Sequence, residues 1–513
     1  MKIKSICIVG GGSSGWMMAL ALQNKLPDLD VTLIESPNFP TIGVGESTIP
    51  YTTEFIANVL GFEEKEWMPY CDATYKAAIR FTDFTKKKEK VYHPFFTFDE
   101  ADINGFNWAI KKSITNAPIN DYFESHYIAY HMCKDNKFDR LDSKGFSYAH
   151  HLDAVKFAMF CKSKFKGRHI LATVNDVDTI DNKITRIRTD KGIYQADFFI
   201  DCTGFNALLL GKALKEPFNS ISDTLLNDTA ITCRVPYENK NKELEPFTDC
   251  TALSSGWAWN TPVWSRIGTG YVFSSKFQTL PHAKKEFKMY LEKRYGKKRI
   301  KDCTFNQIKF KTGKYERSWV GNCLALTLAS GFIEPLEATG LAIIGLQITE
   351  FIKAIEDKCP TCKGYEYSAL GRSMCNAEID STFNEVHFFV LLHYVNTQRS
   401  DSPYWDYIRN EIETSKEFNQ YVRDIGSLEN SKYRWFKNKS NECISLGFDL
   451  PSNYSIHNLH WEDRLFLSLT TKEKDKILDS LTYLDFQKAE YGFLTKKMLP
   501  LLDYMKQEIY HEA

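Results

Sequence analysis

The chain has 513 residues, 43% of them hydrophobic, with Lys+Arg and Asp+Glu both at 65. That length allows roughly two to four domains and a large buried core. A formal net charge of zero argues against a nucleic-acid binder driven by bulk charge, which needs a cationic surface to displace counterions from phosphates.

The start, Met1-Lys2-Ile3-Lys4, lacks the apolar stretch and small-residue cleavage site of a signal peptide. Ile6-Cys7-Ile8-Val9 is a short apolar run of buried-strand type. It enters Gly10-Gly11-Gly12-Ser13-Ser14-Gly15, and Trp16 to Leu22 follows with helical character. Val31-Thr32-Leu33-Ile34-Glu35 is a second strand ending in an acid. This order is what a dinucleotide site needs. Gly10 allows the tight turn, Gly12 lets the backbone approach a pyrophosphate, and Gly15 lets helix and strand pack closely. The helix N-terminus offers amide donors and a positive dipole end at the anion. Glu35 lies 20 residues beyond Gly15, where a carboxylate accepts from ribose hydroxyls. The motif alone does not separate FAD from NAD.

Tyr75, Ala77, Ile79 and Phe81 alternate with Lys76, Ala78 and Arg80. Period two predicts one strand with Lys76 opposite the apolar set. The basic run Lys86-Lys87-Lys88 and the pair Lys284-Lys285 read as solvated surface. From Thr173 to Gly204 the pattern is β, with turn signals at Asp181-Asn182-Lys183 and Asp190-Lys191-Gly192. Ala196 to Asp201 is another buried strand, and it runs into Cys202-Thr203-Gly204. Trp257 and Trp259 alternate on a strand, and Gly268 to Phe273 is strand as well.

Leu341 to Ile355 has helical spacing. Cys359-Pro360-Thr361-Cys362 is a lone C-x-x-C without a second pair, so incidental thiols are favoured over structural zinc and no metal is expected. Thr470-Thr471-Lys472-Glu473 is a capping box opening an amphipathic helix through Ile477 and Leu481. The pattern predicts an α/β domain with a sheet assembled from distant segments, an insertion around residues 60–160, and a largely helical C-terminal part packed on it. There are no tandem repeats. No apolar run reaches the roughly 18 residues that span a bilayer, and thirteen cysteines lie scattered without a framework. A reducing cytoplasmic location without membrane association is expected.

Asp197 to Gly204 resembles the late strand that closes the FAD site in flavoprotein monooxygenases, which points to FAD. No second G-x-G-x-x-G is present for NADPH, so reduced FAD (FADH2) is expected to come from a separate flavin reductase. Four more segments carry a resemblance. They are Gly43-Val44-Gly45-Glu46-Ser47-Thr48-Ile49-Pro50, Thr74-Tyr75-Lys76-Ala77-Ala78-Ile79-Arg80-Phe81, Gly256-Trp257-Ala258-Trp259-Asn260-Thr261-Pro262 and Gly331-Phe332-Ile333-Glu334-Pro335-Leu336-Glu337-Ala338-Thr339-Gly340. Together with the glycine fingerprint they resemble the flavin-dependent halogenases, best known from tryptophan halogenases, over roughly residues 1–345. Thr261 stands where isoleucine is usual and Ala338 where serine is common; the second change puts the fine positioning of the neighbouring acid in question.

The resemblance implies a glutathione-reductase/monooxygenase-like FAD-binding domain at 1–345, carrying the halide and lysine machinery, and a mainly helical substrate-side domain at 346–513. Cofactor contacts fall to Gly10, Gly12, Ser13, Gly15, Glu35, Gly45, Glu46, Ser47, Asp201 and Gly204. Reduced FAD, O2 and halide yield hypohalous acid, with the halide held by backbone amides at Thr339 and Gly340. Lys76 delivers the halogen and Glu337 is its partner carboxylate. Trp257 and Trp259 keep the substrate from the flavin. His93 and Phe95, in His93-Pro94-Phe95, sit beside the aromatic acceptor. The acceptor is an electron-rich small molecule such as an indole or phenol. The C-terminal region does not point to tryptophan, though Trp405, Trp435 and Trp461 are possible stacking partners. Oligomeric state stays open.

Taken singly, these residues have plainer readings. A strand lysine is ordinarily a surface residue, paired tryptophans are ordinarily core, and Glu337 could cap a helix near Thr339. An FAD-dependent aromatic monooxygenase would explain the fingerprint but not Lys76 or the tryptophans. A non-catalytic flavin-binding protein is the remaining alternative.

Overall fold

A computed structural model describes residues 2–38, 46–97, 117–355, 365–425 and 471–511, with isolated positions between 108 and 115 and between 440 and 444. Gly43 to Gly45, Cys359, Cys362, Trp435, Trp461 and Thr470 lie outside the described residues. The fold is mixed α/β. It divides into two compact units, each built from three separate stretches: residues 1–73, 152–229 and 307–384, and residues 74–151, 230–306 and 385–513.

The first unit is organised by a six-stranded sheet in the order Arg168–Leu171, Asp30–Glu35, Ser5–Val9, Phe198–Asp201, Cys323–Ala325, Trp319–Val320. All pairs are parallel except the last. Ser5–Val9 and Phe198–Asp201 are nearly continuous apolar runs because helices and loops cover both faces of a parallel sheet. Ile6 faces Val31 on one side and Phe198 on the other, so strands almost two hundred positions apart in sequence are immediate neighbours. The helix Ser13–Lys25 leaves the central strand with Ser14 through Leu22 buried. The predicted β stretch after Thr173 is a three-stranded antiparallel meander, Val174–Ile180, Lys183–Thr189 and Gly192–Tyr194. Its first turn has Asp181 and Asn182 in the left-handed region (φ 49° and 58°), which short polar side chains tolerate best after glycine.

In the second unit a long sheet includes, side by side, Thr229–Val235, Arg266–Phe273, Gly256–Val263, Phe247–Ala252, Ala78–Thr82 and Lys90–Pro94. The helix Leu280–Tyr295 places Ala283, Phe287, Leu291 and Tyr295, each four positions apart, against Ile231, Ala258, Tyr271 and Phe273. The stretch from Tyr75 to Phe81 departs from the single strand expected. It breaks at Ala77, whose N–H donates to the Pro246 carbonyl (2.7 Å) and whose carbonyl accepts from Phe95 N (2.8 Å). Thr74–Lys76 pairs with Ala149 to His151, whereas Ala78–Thr82 pairs with Phe247 to Thr251 and with Lys90–Pro94. The chain changes sheets there, so Thr74 through Ile79 are all buried and no wet face exists for Lys76.

From Gly340 onward the described chain is mostly helical, through Gly340–Ile355, Ala369–Val395, Pro403–Glu411, Lys416–Ile425 and Thr471–Lys497. The last described residues return to strand and stack. Leu499 and Pro500 pair with Phe138 and Lys137, and Tyr510 lies flat on Trp264 at 3.7 Å. Trp405 is core, with its indole N–H on the Leu253 carbonyl (2.6 Å). No helix of the described residues is long and apolar enough to cross a membrane.

One ionic cluster ties the second unit together. The buried Asp249 carboxylate takes Arg80 Nε at 2.9 Å on one oxygen and Arg294 on the other. Burial alone would raise the Asp249 carboxyl, but the two guanidiniums outweigh it and hold it far below the usual range. Replacing one member of such a cluster leaves uncompensated charge. Asp249→Asn is expected to lower unfolding free energy by about 3 kcal/mol in urea titrations at neutral pH. Because the folded value is depressed, this stabilisation is complete above about pH 4 and is lost as pH falls toward the folded value.

Candidate active site

The fingerprint glycines form a cradle at the C-terminal end of Ser5–Val9. Gly10 has φ 116°, and a Cβ there would lie 2.2 Å from the Cys202 carbonyl oxygen; at Gly15 it would lie 1.9 Å from the Gly10 oxygen. Both positions exclude any side chain. At Gly11 a Cβ would meet the outer atoms of the Glu35 side chain, which would have to turn aside. Gly12 differs: a Cβ there meets nothing within 4 Å. Gly12 is also the N-cap of Ser13–Lys25 and provides no side-chain cap, so first-turn amides and the dipole face open space. That is the arrangement a pyrophosphate needs, and the residues present fit a dinucleotide cofactor. Ser13 Oγ donates to the Ala154 carbonyl (3.4 Å). Glu35 Oε2 accepts from Lys162 Nζ and His169 Nε2, both at 2.9 Å, which fixes the carboxylate beside the cradle.

Asp201 is fully buried and turned inward. Its oxygens accept from Thr203 N (3.0 Å), Thr203 Oγ1 (2.6 Å), Leu209 N (2.8 Å) and Leu210 N (2.9 Å). Burial pushes its carboxyl up against the pull of these four bonds. The residue therefore shapes the loop after its strand, where Gly204 adopts φ 63°. Glu46 and Ser47 form a short strand. Burial, and then the nearby Asp153 charge, push Glu46 up to about 7.

The loop before the helix Gly340–Ile355 is a tight double turn, with Leu336 N on Glu334 O (2.9 Å) and Ala338 N on Pro335 O (3.0 Å). Ala338 takes φ 59°, and the helix begins two residues later. Glu334, Glu337 and Thr339 are buried, while a Cβ on Gly340 would meet nothing within 4 Å. A 16-residue helix thus begins beside open space, and the amides and positive dipole end of a helix start are chemistry suited to a small anion. Glu334 Oε2 accepts from Asn227 Nδ2 at 2.6 Å, a buried pair that the motif reading overlooked.

Lys76 lies in the second unit with no exposed surface. Its ammonium is 5.4 Å from the Phe95 ring centroid. His93 sits opposite Ile79 across the strand pair, with its ring 5.7 Å from Phe389. Tyr75 packs on Phe138 (4.6 Å), Tyr148 (5.4 Å) and Tyr504 (5.8 Å). On Gly256–Val263, Trp257 is buried and Trp259 half-buried, their rings 6.0 Å apart on one face. Trp259 lies across Gly270, where a Cβ would come within 2.0 Å of the indole. Gly270 is its register partner, so the hairpin keeps a glycine to seat the ring. Lys76, His93, Phe95, Trp257 and Trp259 all belong to this unit. Gly10, Gly12, Ser13, Gly15, Glu35, Glu46, Ser47, Asp201, Gly204, Glu337, Thr339 and Gly340 belong to the first. Gly45 lies outside the described residues. Among the described residues no group of side chains is arranged to hold a metal.

The cradle separates two kinds of glycine by experiment. Gly12→Ala should leave the thermal midpoint of the flavin-free protein unchanged and weaken flavin binding about tenfold or more, read by fluorescence titration. Gly10→Ala should lower the midpoint of the flavin-free protein itself.

A family model described as tryptophan halogenase matches residues 5–460. The chain is 35% identical over 435 residues to tryptophan 7-halogenase RebH of Lentzea aerocolonigenes, covering 79% of this chain and 78% of that protein. The apo structure of VirX1 superposes with a TM-score of 0.85 at 31% identity over 100% of both chains. Tar14, a tryptophan C-6 flavin-dependent halogenase from taromycin biosynthesis, superposes with a TM-score of 0.83 at 30% identity, covering 98% of this chain and 99% of that one. The match runs well past residue 345, where the motif-based resemblance was drawn to a close. A likeness of this extent makes this chain a member of the tryptophan halogenase family of flavin-dependent enzymes.

Proposed function

We propose that the enzyme halogenates an electron-rich aromatic small molecule, with Lys76 as the delivering amine and Glu337 as the acid–base group. One observation carries this reading: the Lys76 ammonium is wholly buried beside an aromatic ring. Burying a charge without a function is strongly disfavoured, and long cations ordinarily reach for water. The cofactor is read as FAD, received in its reduced form from a separate reductase, since the chain has one G-x-G-x-x-G. When bound, reduced FAD supplies with O2 and halide the hypohalous acid that carries the electrophilic halogen.

The residues then have distinct tasks. The amides at Gly12 and Ser13 take the pyrophosphate, and Glu35, held by Lys162 and His169, faces the ribose. Thr339 and Gly340 hold halide by neutral backbone donors, which bind a monovalent anion without immobilising it as a full cation would. Lys76 either hydrogen-bonds hypohalous acid or carries the halogen as a haloamine. Glu337 polarises that reagent or takes the proton leaving the aromatic ring, a contribution of about 10²–10⁴-fold. Trp257 and Trp259 bar the organic substrate from the flavin, which favours halogen transfer over oxygen insertion. His93 and Phe95 sit on the substrate side. Residues 1–345 carry the cofactor and catalytic machinery in this reading, and the mainly helical 346–513 the substrate side. The buried free thiols, Cys7, Cys71 and Cys161 among them, suit a reducing cytoplasm.

The test is product mass. The protein is supplied with a flavin reductase, NADH and each halide in turn, and offered indoles, tryptophan and phenols. A gain of halogen supports the reading, and a gain of oxygen would make the enzyme a monooxygenase. Lys76→Ala and the similarly long but uncharged Lys76→Met are expected to reduce halogenation by about 10²-fold or more while flavin binding survives. Normal turnover in either variant refutes the assignment.

A further inference from the structure

The strand bearing Lys76 is not hydrogen-bonded by its backbone to the strand bearing Trp257 and Trp259; its ladder partner is Ala149 to His151. A line of buried side chains connects them. Thr74 Oγ1 donates to the Pro262 carbonyl at 2.7 Å, on the tryptophan strand Gly256–Val263. Thr74 Oγ1 also lies 3.3 Å from His151 Nδ1, and His151 Nε2 lies 3.0 Å from Thr248 Oγ1. All three side chains are buried, His151 completely.

The protons along this line can be placed. The Thr74 hydroxyl has one hydrogen, and Pro262 takes it. Toward His151 the oxygen can only accept, so Nδ1 carries the hydrogen. In a neutral imidazole Nε2 is then bare, and the Thr248 hydroxyl donates to it. Burial first, and then the Lys76 charge, hold His151 well below its ordinary value, so the ring stays neutral.

We infer that the chain Thr248–His151–Thr74–Pro262 is the positioning device of the site, with His151 as a neutral hinge pin that fixes the Lys76 strand against the tryptophan strand. None of the four touches the reacting atoms; they act through Lys76, and the inference rests on the role of Lys76 proposed above. A buried hydrogen-bonded line of neutral groups suits the task, since it fixes geometry without adding a second cation beside the ammonium. Small misplacements of a reacting group are costly in rate.

The test uses Thr74→Val, which keeps shape and removes the hydroxyl, and Thr74→Ser, which restores it. Halogenated product per reduced flavin oxidised is measured in the full enzyme, with a hypohalite scavenger counting escaped reagent. In the flavin-free protein, ¹⁵N shifts of labelled histidine report the His151 tautomer, assigned by the signal lost in His151→Gln. For Thr74→Val we expect unchanged flavin oxidation, halogenated product down about tenfold or more, and trapped hypohalite up in proportion. Thr74→Ser should recover most of the coupling, and wild-type His151 should be neutral and protonated at Nδ1. Wild-type coupling in Thr74→Val, no recovery in Thr74→Ser, or an Nε2-protonated His151 overturns the inference. Should Thr74→Val fail to fold, Thr248→Val cuts the other end of the chain and is read by the same ratios. Lys76→Met separates the two levels. If it halogenates normally, the lysine reading itself falls; if it is inactive while Thr74→Val stays coupled, only the positioning role falls.

Discussion

A lysine ammonium with no access to water constrains everything around it. Its desolvation must be offset locally, and the Phe95 ring lies 5.4 Å from the ammonium. The break at Ala77 follows from that need. A continuous strand would have exposed one face or buried alternate residues in a single sheet, whereas handing the chain from one sheet to another encloses Lys76 on all sides. The ionic cluster of Asp249 with Arg80 and Arg294 lies in the adjoining sheet and holds its full charges in mutual balance.

In the proposed function the first unit has a different task, the reception of anions. Two helices, Ser13–Lys25 and Gly340–Ile355, begin beside open space. In both, a glycine without neighbours at its Cβ position stands at the helix entrance. A backbone donor set is the fitting choice for ligands that must arrive, react and leave, since it supplies fixed dipoles with no counter-charge to desolvate. Glu35 and Asp201, the two carboxylates nearest the cradle in the motif reading, are both restrained by donors from elsewhere in the fold. They organise the cradle as much as they line it.

Much of this was legible before any coordinates. The strand, glycine turn, helix and acid at residues 6–35 are local, with spacing set by a tight turn and helix geometry, and they appear as read. The turns at Asp181-Asn182 and Asp190-Lys191-Gly192 likewise stand where short polar residues and glycine announce them. What escaped was contact between distant segments. Nothing near Gly270 in sequence says that Trp259 lies across it, and nothing about His150-His151 says which of the two bridges Thr74 and Thr248. Nothing in the glycine motif says that the Glu35 side chain stands where a Gly11 Cβ would lie. The family match also runs on to residue 460, well past the last of the family motifs.

The sequence alone determined the type of the local elements, because each depends on residues within a few positions of one another, whereas Lys76 was singled out by the resemblance of several distant segments taken together. Tertiary structure alone decided that the Lys76 strand would be interrupted and enclosed, which glycines are forced by a neighbour and which stand open, and where the proton on His151 resides. Those outcomes depend on which segments meet across hundreds of positions. Burial, tautomer and steric fit are properties of such meetings, and no single stretch of chain contains them.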